Sequence, residues 1–110
     1  NIANRYNTEI INDKIILPKV EKDCSHVYHI YSLRCKERDK LENYLNDHGI
    51  CTLKHYPIPI HLQDAYKDLG YKEGDFPIAE EISNTQLSLP LYYGMTDDQV
   101  SYVIDVVNKF

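Results

Sequence analysis

Two prolines one residue apart, Pro57 and Pro59, restrict this chain more than any other feature. Each ring fixes its own φ at about −65° and removes a backbone donor. Each also pushes the residue before it, Tyr56 or Ile58, away from the α region. No helix and no central strand can run through residues 56–59. The segment has to be stiff and extended, and it lies between a predicted strand and a predicted helix. It is also where polar side chains gather. Residues 55–63 read His-Tyr-Pro-Ile-Pro-Ile-His-Leu-Gln. A stiff backbone carrying two imidazoles, a phenol and an amide is suited to presenting side chains to something else.

The flanks read as helices and strands in alternation. Ile2, Tyr6 and Ile10 recur at helical spacing and predict a helix over 2–11. Ile15-Ile16-Leu17-Pro18 predicts a short edge strand, followed by a polar loop over 19–25. Residues 26–35 (HVYHIYSLRC) predict the best strand. Val27, Tyr31 and Leu33 fall on one face with Tyr28 and Ile30 on the other, which predicts a sheet covered on both sides. Glu37 to His48 predicts a helix with Leu41, Tyr44, Leu45 and His48 on its stripe, ended by Gly49. A second strand is expected over 50–55. Leu62, Ala65, Tyr66 and Leu69 form a helical stripe that stops at Gly70. Asp75 and Pro77 start a further helix, with Ile78, Ala79 and Ile82 as its buried face. Gln86 to Leu89 predicts a short strand closed by Pro90. Thr96 and Gln99 have capping-box spacing, and Val100, Val103, Ile104 and Val107 stripe the last helix. Strands joined through helices around a small sheet make a two-layer α+β domain.

With 110 residues, the chain is long enough for one domain and one modest core. Its net charge of −5, with no basic stripe, argues against a nucleic-acid partner. No apolar run approaches the roughly 20 residues of a membrane span. The three cysteines, Cys24, Cys35 and Cys51, have no metal-type spacing and read as free thiols of a reducing cytosol. The ten tyrosines suit clefts and interfaces, although core packing accounts for most of them. Asn1 to Asn7 already reads as part of a helix, so the chain is expected to be a piece of a longer protein.

Few residues suggest chemistry on their own. His55 and His61 are candidate metal ligands, but no third ligand accompanies them and zinc usually needs three or four. Two hydrogen-bonded histidines is the plainer reading. His26 and His29 fall on opposite faces of a regular strand and read as structural. Arg34 has a planar fork suited to carboxylate or phosphate, but an ion pair with Glu37 or Asp39 is simpler. Cys51 would lie about 13 Å from His55 along a strand, too far for thiol activation, and reads as a small core residue. No phosphate-binding glycine loop and no nucleophile elbow occur. The residues alone leave two readings: part of an active site, or a stand-alone ligand-binding or protein-interaction module.

A set of short motifs then recurs in a known order. His29-Ile30-Tyr31 is followed by Arg34, Arg38-Asp39-x-Leu41 and Gly49-Ile50. Next come His55-Tyr56-Pro57-x-Pro59-x-His61-x-Gln63, Phe76-Pro77-x-Ala79-Glu80, Leu87-Ser88-Leu89-Pro90-Leu91 and Thr96-Asp97-x-Gln99-Val100. In these the chain resembles, over residues 1–110, the C-terminal domain of the DegT/DnrJ/EryC1/StrS family of pyridoxal-phosphate-dependent sugar aminotransferases. The resemblance implies the small domain of a fold-type-I aminotransferase, with a three- or four-stranded, mainly antiparallel sheet. It implies a separate large N-terminal domain whose lysine holds pyridoxal phosphate as a Schiff base. It further implies a cytoplasmic homodimer with its active site near the subunit interface. The reaction implied moves an amino group from glutamate or glutamine to a keto group on a nucleotide-linked sugar. By the same resemblance His55, Tyr56 and His61 face the cleft and bind the sugar nucleotide, and Gln63 is a second polar contact or a helix-start cap. The prolines would preorganise these groups. None of the chain's lysines resembles the Schiff-base lysine. No catalytic residue and no bound cofactor are expected here, and the isolated chain is expected to be inactive.

Overall fold

A computed structural model describes residues 1–110. In chain order the elements are α1 (Ile2–Glu9), β1 (Ile15–Ile16), β2 (Tyr31–Cys35), α2 (Arg38–Asp47), α3 (Pro77–Thr85), β3 (Gln86–Leu89) and α4 (Asp97–Asn108). Two 3-10 turns, Ile60–Leu62 and Asp64–Leu69, fill the stretch between α2 and α3. The strands form one antiparallel sheet in the order β1-β2-β3. This is the α+β class that the sequence predicts.

The register sorts the side chains. Tyr31 pairs with Leu89 and Leu33 with Leu87, while Ser32 pairs with Ser88 and Arg34 with Gln86. Because side chains alternate along a strand, the first set lines one face and the second set the other. The apolar face meets α1, α2 and α4. Tyr6, Tyr31, Leu33, Leu41, Leu45, Leu87 and Val107 are completely buried there. Full burial of such a side chain contributes on the order of 1.5–3 kcal/mol before entropy costs. Tyr6 and Tyr31 meet edge to face, their ring centroids 4.9 Å apart. Their hydroxyls donate to Pro90 O and Asn7 Oδ1, and burial pushes both phenols far above the ordinary tyrosine pKa.

The helix ends are locally encoded. Gly49 takes φ +74°, and its N–H donates to Asn46 O while Ile50 N–H donates to Leu45 O. That is a Schellman ending, which needs a left-handed residue and favours glycine. At α4 the Thr96 hydroxyl accepts from Gln99 N–H, and the Gln99 side chain accepts from Thr96 N–H. The capping box expected from the sequence is formed.

Several expectations are corrected. The best strand begins at Tyr31 rather than His26. His26 Nδ1 accepts from Tyr28 N–H at 2.8 Å, and Tyr28 sits at φ +48° in a local turn. Val27 is therefore exposed, and the second face of the sheet is polar rather than apolar. No strand forms over 50–55; Leu53 makes a single bridge to Ser88. Cys51 is consequently exposed, not a core residue. The stripe from Leu62 to Leu69 lies on 3-10 turns, where the 3.6-residue period does not apply. Ile78, Ala79 and Ile82 of α3 face outward, as does His48 of α2. Arg34 pairs with Glu81 at 3.3 Å, not with Glu37 or Asp39.

Candidate functional site

The proline segment starts at the polar face of the sheet, where His55 meets Gln86 and Ser88. The His55–Tyr56 peptide is cis. An open groove of about 600 Å³ lies between this segment, the 3-10 turns, the loop before α3 and α3 itself. His55, Tyr56 and His61 line it together with Ile58, Phe76 and Ile82. Three of the four residues singled out from the sequence are thus brought to one surface. The fourth, Gln63, is not on the lining. Its side-chain amide donates to Ile58 O at 3.1 Å and ties the ends of the proline segment together. It does not cap the turn that follows.

The two histidines are held differently. His55 is half-buried at the sheet end of the groove. Its backbone N–H donates to Gln86 Oε1 at 2.7 Å, and its Nδ1 shares a hydrogen bond with Ser88 Oγ at 2.8 Å. Its Nε2, on the far side of the ring, has no partner in the chain. His61 is buried, and its Nε2 is 2.7 Å from Glu80 Oε1. The same carboxylate accepts the backbone N–H groups of Gly74 and Phe76. Hydrogen bonding to His61 first, and then to these amides, holds the Glu80 carboxyl below its ordinary range. Glu80 therefore joins three walls of the groove at one point.

Tyr56 is 68% exposed and projects from the segment, its ring 5.6 Å from that of His55. The Phe76 ring bridges those of His61 and Tyr71, at 4.8 and 5.1 Å. The groove is thus apolar and aromatic, with the His55 imidazole and the Tyr56 phenol among the polar groups of its lining. Such a surface suits a ligand having both a flat ring and hydrogen-bonding groups. No cluster of three His, Cys, Asp or Glu is placed to hold a metal.

The sequence reading gave four residues no role in the site. Arg38 is buried, and its guanidinium donates to Ser83 O and Gln86 O and pairs with Asp39 at 2.7 Å. It clamps the junction of α3 and β3. Asp39 also pairs with Lys54, the residue before His55, at 3.2 Å. Gln86 and Ser88 support His55, and Glu80 supports His61. A signal for the first two existed: in Gln-Leu-Ser-Leu the alternation puts both polar residues opposite the core. Glu80 had only its place in the first turn of a helix, where acids are common for unrelated reasons.

Comparison with known proteins agrees with this architecture. The model of the DegT/DnrJ/EryC1/StrS aminotransferase family matches residues 1–108. A relative from Aneurinibacillus thermoaerophilus named dTDP-3-amino-3,6-dideoxy-alpha-D-galactopyranose transaminase is 40% identical over 109 residues, covering 99% of this chain and 30% of its own length. The Bacillus subtilis spore coat polysaccharide biosynthesis protein SpsC is 40% identical over 115 residues, covering 96% of this chain and 29% of its own. The crystal structure of S. venezuelae DesV in complex with a ketimine intermediate superposes with a TM-score of 0.95 at 36% identity, over 98% of this chain and 29% of that one. The chain spans less than a third of each of these proteins. On a match that runs almost from end to end, this chain belongs to the DegT/DnrJ/EryC1/StrS aminotransferase family.

Proposed function

We propose that these 110 residues are the C-terminal small domain of a pyridoxal-phosphate-dependent aminotransferase acting on a nucleotide-linked keto sugar, with glutamate or glutamine as amino donor. The enzyme is a homodimer, and the three free cysteines of this chain suit the cytoplasm. The observation that carries the reading is the exposed Tyr56 beside a His55 anchored from behind, at the edge of an aromatic groove. The names of the relatives, transaminases of dTDP-linked amino sugars among them, support the substrate class.

The cofactor does not fit this groove. No lysine or arginine lines it, so nothing in it can form a Schiff base or neutralise a phosphate. Pyridoxal phosphate belongs to residues outside this chain, and the role of the small domain is to bind and orient substrate. His55 and Tyr56 make direct contacts. His61 supplies a wall of the groove with its ring, and Gln63 holds the shape of the segment.

Two measurements test this. The gene upstream of Asn1 should encode a cofactor domain with a Schiff-base lysine, and its absence would overturn the transaminase reading. In the full-length enzyme, His55→Ala should weaken nucleotide-sugar binding about tenfold, the order expected when a ligand loses one buried partner. Cofactor absorbance should not change. Unaltered substrate affinity would remove His55 from the site.

A further inference from the structure

The polar face of the sheet holds a hydrogen-bond relay that ends at His55. It begins with a donor whose identity is certain, the backbone N–H of His55, which meets Gln86 Oε1 at 2.7 Å. That contact fixes which way the Gln86 amide points. Its nitrogen must then face the two serines, and it donates to Ser32 Oγ at 3.0 Å and Ser88 Oγ at 2.7 Å. An amide nitrogen has two hydrogens, and both are used.

Ser88 Oγ has accepted one hydrogen bond and still has a proton to place. Gln86 and Ser88 are both buried, at 3% and 5% exposed. The only acceptor within reach of the Ser88 hydroxyl is His55 Nδ1, at 2.8 Å. Buried hydroxyls find partners because an unpaired one is costly. The hydroxyl therefore donates to Nδ1, and the imidazole carries its own proton on Nε2.

We infer that Gln86 and Ser88 hold His55 as the neutral Nε2–H tautomer, so that it offers the groove a hydrogen-bond donor and selects an acceptor oxygen on the ligand. Gln86 and Ser88 are positioning residues. The ligand half of this inference rests on the proposed function; the tautomer does not.

Nitrogen NMR of ring-labelled histidine in the full-length holoenzyme reads the tautomer directly, with His55→Gln identifying the signal. The expected spectrum has a pyridine-type Nδ1 and a pyrrole-type Nε2. The opposite pattern, or an imidazolium, would overturn the inference and leave the aminotransferase reading standing. Gln86→Glu supplies the decisive contrast. A carboxylate accepts from His55 N–H but donates nothing, so Ser88 turns its proton toward it and accepts from Nδ1–H. The tautomer should switch, an effect that loss of packing alone would not produce. Ser88→Ala should weaken binding of a dTDP-linked keto sugar roughly tenfold, and Ser88→Thr should restore it. Equal weakening for dTDP alone puts the acceptor on the nucleotide; weakening only for the sugar conjugate puts it on the sugar. Both support the donor, and no weakening of either would overturn it.

Discussion

The two halves of this molecule use apolar residues for opposite ends. Around α1, α2, α4 and the inner sheet face, Leu33, Leu41, Leu45 and Leu87 are fully buried. Between Tyr56 and Ile82, residues of the same type lie open: Ile60 is 67% and Ile78 73% exposed. That second half has no apolar core of its own, and polar anchors hold it in place. Glu80 gathers His61 and two backbone amides, Gln63 ties the proline segment, and Arg38 fastens the end of α3. Apolar composition therefore says little about stability here until the covering surface is known. One half spends its apolar area on folding, while the other keeps it as surface.

The sharpest way to break this contrast is to truncate one aliphatic side chain in each half. Leu45→Ala should destabilise the chain by about 2–5 kcal/mol in urea denaturation, because it leaves a cavity. A loss below about 1 kcal/mol would mean the first half is not the stabilising one. Next in size is Arg38→Met, which leaves two buried carbonyls without their donor. It should cost about 2 kcal/mol and loosen β3 in hydrogen exchange. Thr96→Ala removes one side of the capping box and should cost about 1 kcal/mol. Ile78→Ser, in the open half, should change stability by no more than about 0.5 kcal/mol. A larger loss would show that this half has a core after all.

Acid should release the anchor of the open half. The Glu80 carboxyl titrates below its ordinary value of 4.5. A group depressed in the fold stabilises it above the unfolded pKa, and that contribution is lost as pH falls through the folded value. Amide exchange at Gly74 and Phe76 should therefore rise as pH drops below about 4.5, relative to α4 in the same sample. Equal behaviour in both places would remove Glu80 as the anchor.

What the sequence revealed follows the same division. The α2 ending at Gly49, the α4 cap and the α4 stripe are local or periodic signals, and the structure has them where they were expected. The stripe on α3 was just as regular, yet Ile78 and Ile82 face outward. Periodicity reveals that a face is apolar, not what covers it. The strand expected over 50–55 reduces to one bridge because only Ser88 faces it. Tyr28 was read into a strand because a histidine accepting from a backbone two residues on leaves no pattern in hydropathy. His55 and Tyr56 were visible through the prolines beside them. Their supports, Gln86 and Ser88, lie more than 30 residues away in the chain and had only the alternation of one short strand to mark them.

One junction described above limits how this sequence can vary in length. α3 ends at Thr85 and β3 begins at Gln86, with no connecting residue between them. Most surface loops absorb an inserted residue cheaply; here there is no loop to absorb it. A single insertion would slip β3 by one place, which sends every side chain of the strand to the opposite face. Leu87 and Leu89 would turn from the core toward the groove, and Gln86 and Ser88 would turn inward. Insertions and deletions at this point are thus excluded twice over, since one added residue would dismantle the core and the support of His55 together.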